Sequence, residues 1–203
     1  MPAPRTVGLG HLALAVFVQS WNRGGEGAVE HLRRYAEWAQ DATLHLRQCA
    51  DDANCLLASG LDPGELESLW CWCTGGSHRP GRDGLDGREW LATVSAILAP
   101  EGHPAHRPHS DDPAAAARVA QVVDAFQPAP DHESSLCPLS TVDARRILRR
   151  LIDSGHADLT MRLFLALAAA TFMPISPAIR DEIASTSRDL GHPDHFLEEI
   201  DGL

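Results

Sequence analysis

The stretch Trp70-Cys71-Trp72-Cys73-Thr74-Gly75-Gly76-Ser77-His78 sets two thiols and an imidazole within nine residues. These are the donor types that hold zinc and other transition metals. Spacing argues against such a site, because structural zinc centres pair thiols as C-x2-C or C-x4-C, and two residues along a helix turn side chains roughly 200° apart. Cys71, Cys73 and His78 converge only if the chain unwinds at Thr74-Gly75, and a fourth ligand is still needed. The segment therefore reads as buried structure, since free cysteine and tryptophan are core residues. A transition metal at Cys71, Cys73 and His78 is the alternative.

Three further groups carry imidazoles. His31, Trp38 and His45 recur every seven residues along one border of an apolar face formed by Val29, Leu32, Ala36, Ala39 and Leu46. With Tyr35 they form a possible pocket lining or, in the simpler reading, a half-buried packing edge. His103, His106 and His109 lie in a His/Pro-rich stretch. A polyproline-like backbone there spaces successive imidazoles about 9 Å apart, too far for one ion. His192, His195 and Glu199 could share one side of a short helix, but the paired Glu-x-x-His pattern of helical di-iron proteins is absent.

The strongest electrostatic feature is Asp143-Ala-Arg-Arg-Ile-Leu-Arg-Arg-Leu-Ile-Asp153. On a helix Arg145, Arg146, Arg149 and Arg150 spread over about 140° opposite Ile147, Leu148, Leu151 and Ile152. This face can receive a phosphate, a carboxylate or an acidic partner, or can pair with acidic residues of its own chain. The chain contains no G-x-S-x-G elbow, phosphate-binding glycine loop, dinucleotide fingerprint or H-E-x-x-H. Cys137 near His132 and Asp131 is the nearest approach to a nucleophile pattern.

Pro128-Ala-Pro-Asp-His132 resembles the proline-x-Asp-His stretch of helical maturation chaperones for molybdenum oxidoreductases. The resemblance covers five residues, lacks the glutamate that precedes the motif in that family, and is followed by Cys137-Pro138 in place of an aromatic-rich helix. It implies only that an acidic helical chaperone is one kind of protein compatible with this chain.

The elements that must position these residues are helices. Apolar residues recur at three and four positions in nearly every segment, and clean alternation is missing, so the expectation is an all-α, orthogonal or antiparallel bundle of about nine to ten helices with His/Pro-rich and Pro-rich loops. Caps and C-terminal glycines place helices at about 8–22, 27–49, 51–59, 63–73, 86–99, 113–126, 141–154, 157–172, 177–190 and 193–200. A proline-rich connector, 127–139, separates an N-terminal unit, 1–126, from a C-terminal unit, 140–203, the two packed as one globular domain. Residues 157–173 are apolar on nearly every side and read as a central helix packing Leu159, Leu163, Phe164, Leu167 and Phe172 inward, or as a homodimer interface.

Composition narrows function. With 203 residues, 44% of them hydrophobic, the chain can bury a core. Its formal charge of −11 argues against a nucleic-acid partner. All 17 basic residues are arginine, which a GC-rich coding bias explains most simply. Five cysteines, an odd number largely in helical segments, suit a reducing cytoplasm better than a disulfide framework. The apolar run near the start is too short to cross a membrane. The leading expectation is a cytoplasmic, non-enzymatic adaptor, accessory subunit or chaperone without a cofactor, contacting a protein partner through Arg145, Arg146, Arg149 and Arg150. The rival is a bundle enzyme or small-molecule or metal binder lined by His31, Tyr35, Trp38 and His45.

The 11 histidines, if fully protonated, cancel the −11 charge. Turbidity recorded from pH 7.5 to 4.5 should therefore rise to a maximum near pH 5, and a flat trace would contradict the charge balance.

Overall fold

Helix starts are written into the chain by carboxylates and hydroxyls. In the computed structural model, which describes residues 8–17, 27–39, 43–99, 112–128 and 140–192, Asp62 accepts from Glu65 N while Glu65 accepts from Asp62 N, both at 2.9 Å. Asp86 and Glu89 repeat this reciprocal cap at 2.8 and 2.9 Å. Asp112, Ser140 and Ser176 cap three further helices.

The resulting elements are α1 (Gly8–His11), continued by a π-helical turn (Leu12–Phe17), then α2 (Ala28–Trp38), α3 (Thr43–Ala58), α4 (Pro63–Cys73), a 3-10 turn (Pro80–Asp83), α5 (Gly87–Leu98), α6 (Pro113–Asp124), α7 (Thr141–Asp153), α8 (Ala157–Ala170) and α9 (Pro177–Asp189). The described residues are all-helical, with no strand. No helix among them is long and apolar enough to cross a membrane.

Three boundaries differ from expectation. The expected helix 27–49 ends at Trp38, and the segment expected to start at 51 is continuous with Thr43–Ala50. The misreading arose at Asp51-Asp52, which resembles a cap but lies inside α3, where Arg47 and Arg162 neutralise the two carboxylates. The expected helix 8–22 is α-helical for its first turn only and then widens into the π-helical turn. The expected helix 193–200 lies outside the described residues.

One apolar cluster draws on both the N-terminal and the C-terminal unit. At its centre is α8, which contacts α1, α4, α6 and α7. Leu159, Leu163, Phe164 and Leu167 are buried as expected. Phe172 corrects the expectation: it is 74% exposed, and at φ 50° it holds a left-handed conformation where Gly60, Gly75, Gly155 and Gly191 serve after other helices. Most of the remaining residues of α8 are buried.

A buried charge cluster crosses this apolar centre. Arg162 of α8 donates to Asp52 of α3 and, at 2.7 Å, to Asp158 one turn earlier on its own helix. Asp52 also accepts from Gln48 and from Leu9 N, both at 2.9 Å, and His192 Nε2 reaches Asp158 at 2.5 Å. Burial disfavours the guanidinium charge, but Asp52 and Asp158 outweigh it and hold Arg162 charged. Burial likewise opposes ionisation of Asp158, yet Arg162 and His192 keep its carboxyl well below the ordinary range. Gly8 fits only because it lacks a side chain, since a Cβ there would meet Asp52 Oδ2 at 2.0 Å.

Removing one partner of a buried ion pair leaves an uncompensated charge, at a cost of about 3–5 kcal/mol. Arg162→Leu should therefore lower the urea-unfolding free energy by about that amount, against under about 1 kcal/mol for Arg33→Leu in the exposed pair with Glu30. Equal losses would contradict the cluster's role.

Candidate functional site

The expected metal residues are not brought to one point. Cys71 and Cys73 are buried on α4, and the Cys73 thiol faces Leu163 O at 3.9 Å. His78 is engaged on both ring nitrogens. Trp70 Nε1, which only donates, meets Nδ1 at 2.7 Å, so the proton lies on Nε2 and points at Asp83 at 3.0 Å. Burial lowers the His78 pKa against the opposing pull of Asp83. Among the described residues no group of three His, Cys, Asp or Glu side chains is placed to hold an ion.

His78 instead belongs to an aromatic cluster that the sequence reading missed. The π-helical turn widens the chain so that Phe17 reaches His78, Trp70, His31 and Trp90, with ring centroids 5.0 to 5.6 Å apart. The carbonyls at the end of that turn are taken by side chains from elsewhere: Ser77 donates to Phe17 O, and His31 Nε2 donates to Val16 O at 3.2 Å. His31 Nδ1 then accepts from Arg34 at 3.2 Å. Beside this cluster, Leu9, Leu66, Trp70, Cys73, Leu91 and Leu163 line an apolar cavity of about 10 Å³, the space of about one water.

Of the expected pocket residues, Tyr35, Trp38 and His45 come together and His31 goes to Phe17. Tyr35 lies 6.3 Å from Trp38 and 6.2 Å from His45, ring centre to ring centre, and His11 of α1 meets His45 edge-on at 5.4 Å. Trp38 is 77% exposed and His45 is buried, so the rings run from the surface inward. At the inner end His45 Nε2 is 3.6 Å from Cys49 Sγ, four residues on along α3.

A thiol beside an imidazole suggests nucleophilic chemistry, but the electrostatics run the other way. Burial, reinforced by Asp52, raises the Cys49 pKa well above its ordinary value despite Arg162. Burial and neighbouring His11 lower His45 to about 4. The proton therefore stays on sulfur, where an activated pair would pass it to the ring. Tyr35 is raised as well, by burial first and then by Cys49, and Cys55 is raised to about 11. His45 Nδ1 and Trp90 Nε1 are buried without a hydrogen-bond partner.

The four expected arginines all sit on α7, and each contacts the chain itself. Arg146 and Arg150 converge on Glu65, whose side chain is nearly buried, at 2.5 and 2.6 Å. Burial opposes the Glu65 charge, but the Asp62 amide and the two guanidiniums hold its carboxyl below the ordinary value. Arg150 also donates to Gly60 O at 2.9 Å. Arg149 pairs with Asp124, and Arg145 grips Phe126 O through two nitrogens at 2.7 and 3.1 Å. Arg146 additionally meets Asp143 at 3.2 Å. The side chains of Arg146, Arg149 and Arg150 remain 42 to 47% exposed, and Val142, one turn before Arg146 on the same stripe, is 75% exposed.

Among residues missed from sequence, Arg162 had a readable signal, since it is the lone cation in the apolar run 159–173 and so demands a buried acid. His11 had none, because its neighbour His45 is brought close only by tertiary packing.

The folded chain resists protonation of His45 down to about pH 4, whereas the unfolded chain takes up that proton near pH 6.5. Protonation thus favours unfolding, and stability present above pH 6.5 is lost as pH falls through that window, by at most about 3 kcal/mol. Urea titrations from pH 7 to 4 should show a shallower loss for His45→Gln than for the parent, and equal slopes would contradict the assignment.

No known protein family, curated protein or solved structure matches the chain.

Proposed function

We propose that the chain is a non-enzymatic helical interaction protein, an adaptor, accessory subunit or chaperone, that meets an acidic partner through the outer face of α7. The observation that carries this reading is the stripe Val142, Arg146 and Arg149: an apolar residue 75% exposed, followed at four and seven residues by half-exposed guanidiniums. An apolar anchor flanked by cations is the chemistry of a protein contact. The carboxylates that hold the arginines fix their direction, and the exposed pairs Arg149–Asp124 and Arg146–Asp143, worth about 1 kcal/mol or less, yield readily to a competing acid.

The interior supports the same reading. Burial favours the uncharged forms of Cys49 and His45, and His78 is committed to Trp70 and Asp83. Cys49 and Cys55 are free thiols, in keeping with a cytoplasmic setting.

A second reading, a small-molecule or metal binder built on His45, draws on one observation, the unpartnered His45 Nδ1. A mass excess in the native spectrum of untagged protein would favour it.

A photo-crosslinking residue placed at position 142 should capture a defined protein in living cells, and Arg149→Glu should reduce capture by about fivefold, the effect of about 1 kcal/mol. Because Arg149 and Asp124 are both exposed, the folded protein should persist at normal abundance. Capture unchanged by Arg149→Glu would contradict the assigned face.

A further inference from the structure

We propose that His78 is an acid-sensitive latch: neutral, it ties the 3-10 turn (Pro80–Asp83) to the aromatic cluster of α4, α5 and the π-helical turn, and protonation releases that turn. Which atoms can donate decides its behaviour. Trp70 Nε1 has a proton to give and no acceptor capacity, so the 2.7 Å contact makes His78 Nδ1 the acceptor. His78 Nε2 accordingly donates to Asp83 at 3.0 Å. A second proton can enter the ring only at Nδ1, where it sets a donor against a donor around a side chain that is 1% exposed. The Trp70 bond is then lost, and a buried N–H is left unsatisfied.

The surroundings push a charged ring outward. From α4, α5 and the π-helical turn the neutral rings of Trp70, Trp90 and Phe17 face it, centred 6.0, 4.6 and 5.0 Å away. His31 of α2 disfavours the charge, Asp83 favours it, and burial outweighs Asp83, so the His78 pKa is lowered. Asp83 is the counter-charge, and its side chain is 32% exposed. An imidazolium that keeps Asp83 and gives up Trp70 therefore moves toward water.

The turn held by the latch is otherwise lightly fastened. Pro80 is its one buried residue, and just before it the half-exposed Arg79 pairs with Glu67 at 2.6 Å, a surface contact of the kind that adds little. Ahead of His78 the chain stays anchored, because Ser77 donates to Phe17 O and Thr74 donates to His78 O at 3.1 Å. Release uncovers Phe17, Trp70 and Trp90, all now buried, and so presents in acid an apolar surface that neutral pH keeps closed. The sign follows from the lowered pKa. A free imidazole takes up its proton near pH 6.5 and the latched one only below that, so closure is complete above about pH 6.5 and is lost as pH falls through the lowered value.

The test is a nuclear magnetic resonance titration of the full chain from about pH 7.5 to 4.5, following the His78 ring nitrogens, the Trp70 indole Nε1–H and the rings of Phe126 and Phe164, which pack 6.1 Å apart on α6 and α8. Expected are an Nε2–H tautomer at neutral pH, a His78 midpoint below 6.5, and an upfield shift of the Trp70 signal with that same midpoint while Phe126 and Phe164 stay in place. His45, neutral down to about pH 4, remains silent over most of this range. His78→Gln can still accept from Trp70 and donate to Asp83 but does not titrate, so its Trp70 signal should not move. A Trp70 signal that is unmoved when His78 protonates, that moves at a different midpoint, or that moves equally in His78→Gln overturns the latch. Phe126 and Phe164 shifting together with Trp70 overturns it as well, since the whole core is then opening. The first two readings need only the parent protein, so they decide the matter even if His78→Gln fails to fold.

Discussion

The guanidinium of Arg162 must be neutralised in the middle of an apolar helix, and much of the architecture follows from that requirement. Asp52 meets it from α3 and Asp158 from α8 itself. The amide of Leu9 then ties the start of the chain to Asp52, and His192 ties the end of α9 to Asp158. Four distant stretches are thereby fixed relative to one another by directed bonds, where apolar packing alone would tolerate slippage. Such a cluster is poor at adding stability, because desolvation consumes most of the Coulomb gain, but alternative packings that strand a charge become costly.

A second buried acid does the same work at the seam between the two halves of the chain. Glu65 caps α4 and also receives Arg146 and Arg150 from α7. Beside it the two similar turns after α3 and α7 touch, Ser154 donating to Ser59 O at 3.2 Å and Arg150 to Gly60 O at 2.9 Å. The arginines of α7 therefore have two duties. Arg145 and Arg150 bind inward to backbone and Glu65, while Arg146 and Arg149 divide their donors between carboxylates of the chain and solvent. Side chains held this way are ordered in the free chain, which would reduce the ordering cost of the proposed contact.

The sequence made the helices legible because their ends are local chemistry. The carboxylate at Asp62 with Glu65 and the glycines at Gly60, Gly75, Gly155 and Gly191 mark helix ends to within a few residues. It failed at the end of α2 and at Asp51-Asp52, the latter held by a contact from a helix over a hundred residues away in the chain, Arg162 on Asp52. The candidate site was legible in part for the same reason. The spacing of the α7 arginines shows a cationic stripe, but the acids beneath it, Glu65 and Asp124, are assigned only by the fold. Likewise Tyr35, Trp38 and His45 do gather, yet from two helices, α2 and α3, rather than along one, with burial favouring the uncharged forms of His45 and Cys49.

If the interior is structural and the outer face of α7 does the work, the two should separate in a saturation mutagenesis scan that reads abundance and growth independently, in cells whose growth depends on this protein. The account predicts that substitutions lowering growth without lowering abundance concentrate at Val142, Arg146 and Arg149, while those at His45, Cys49 and Arg162 affect growth only through abundance. A cluster of abundance-neutral losses at Tyr35, His45 and Cys49, with α7 tolerant, would contradict it and place the function in the ring cluster of α1, α2 and α3.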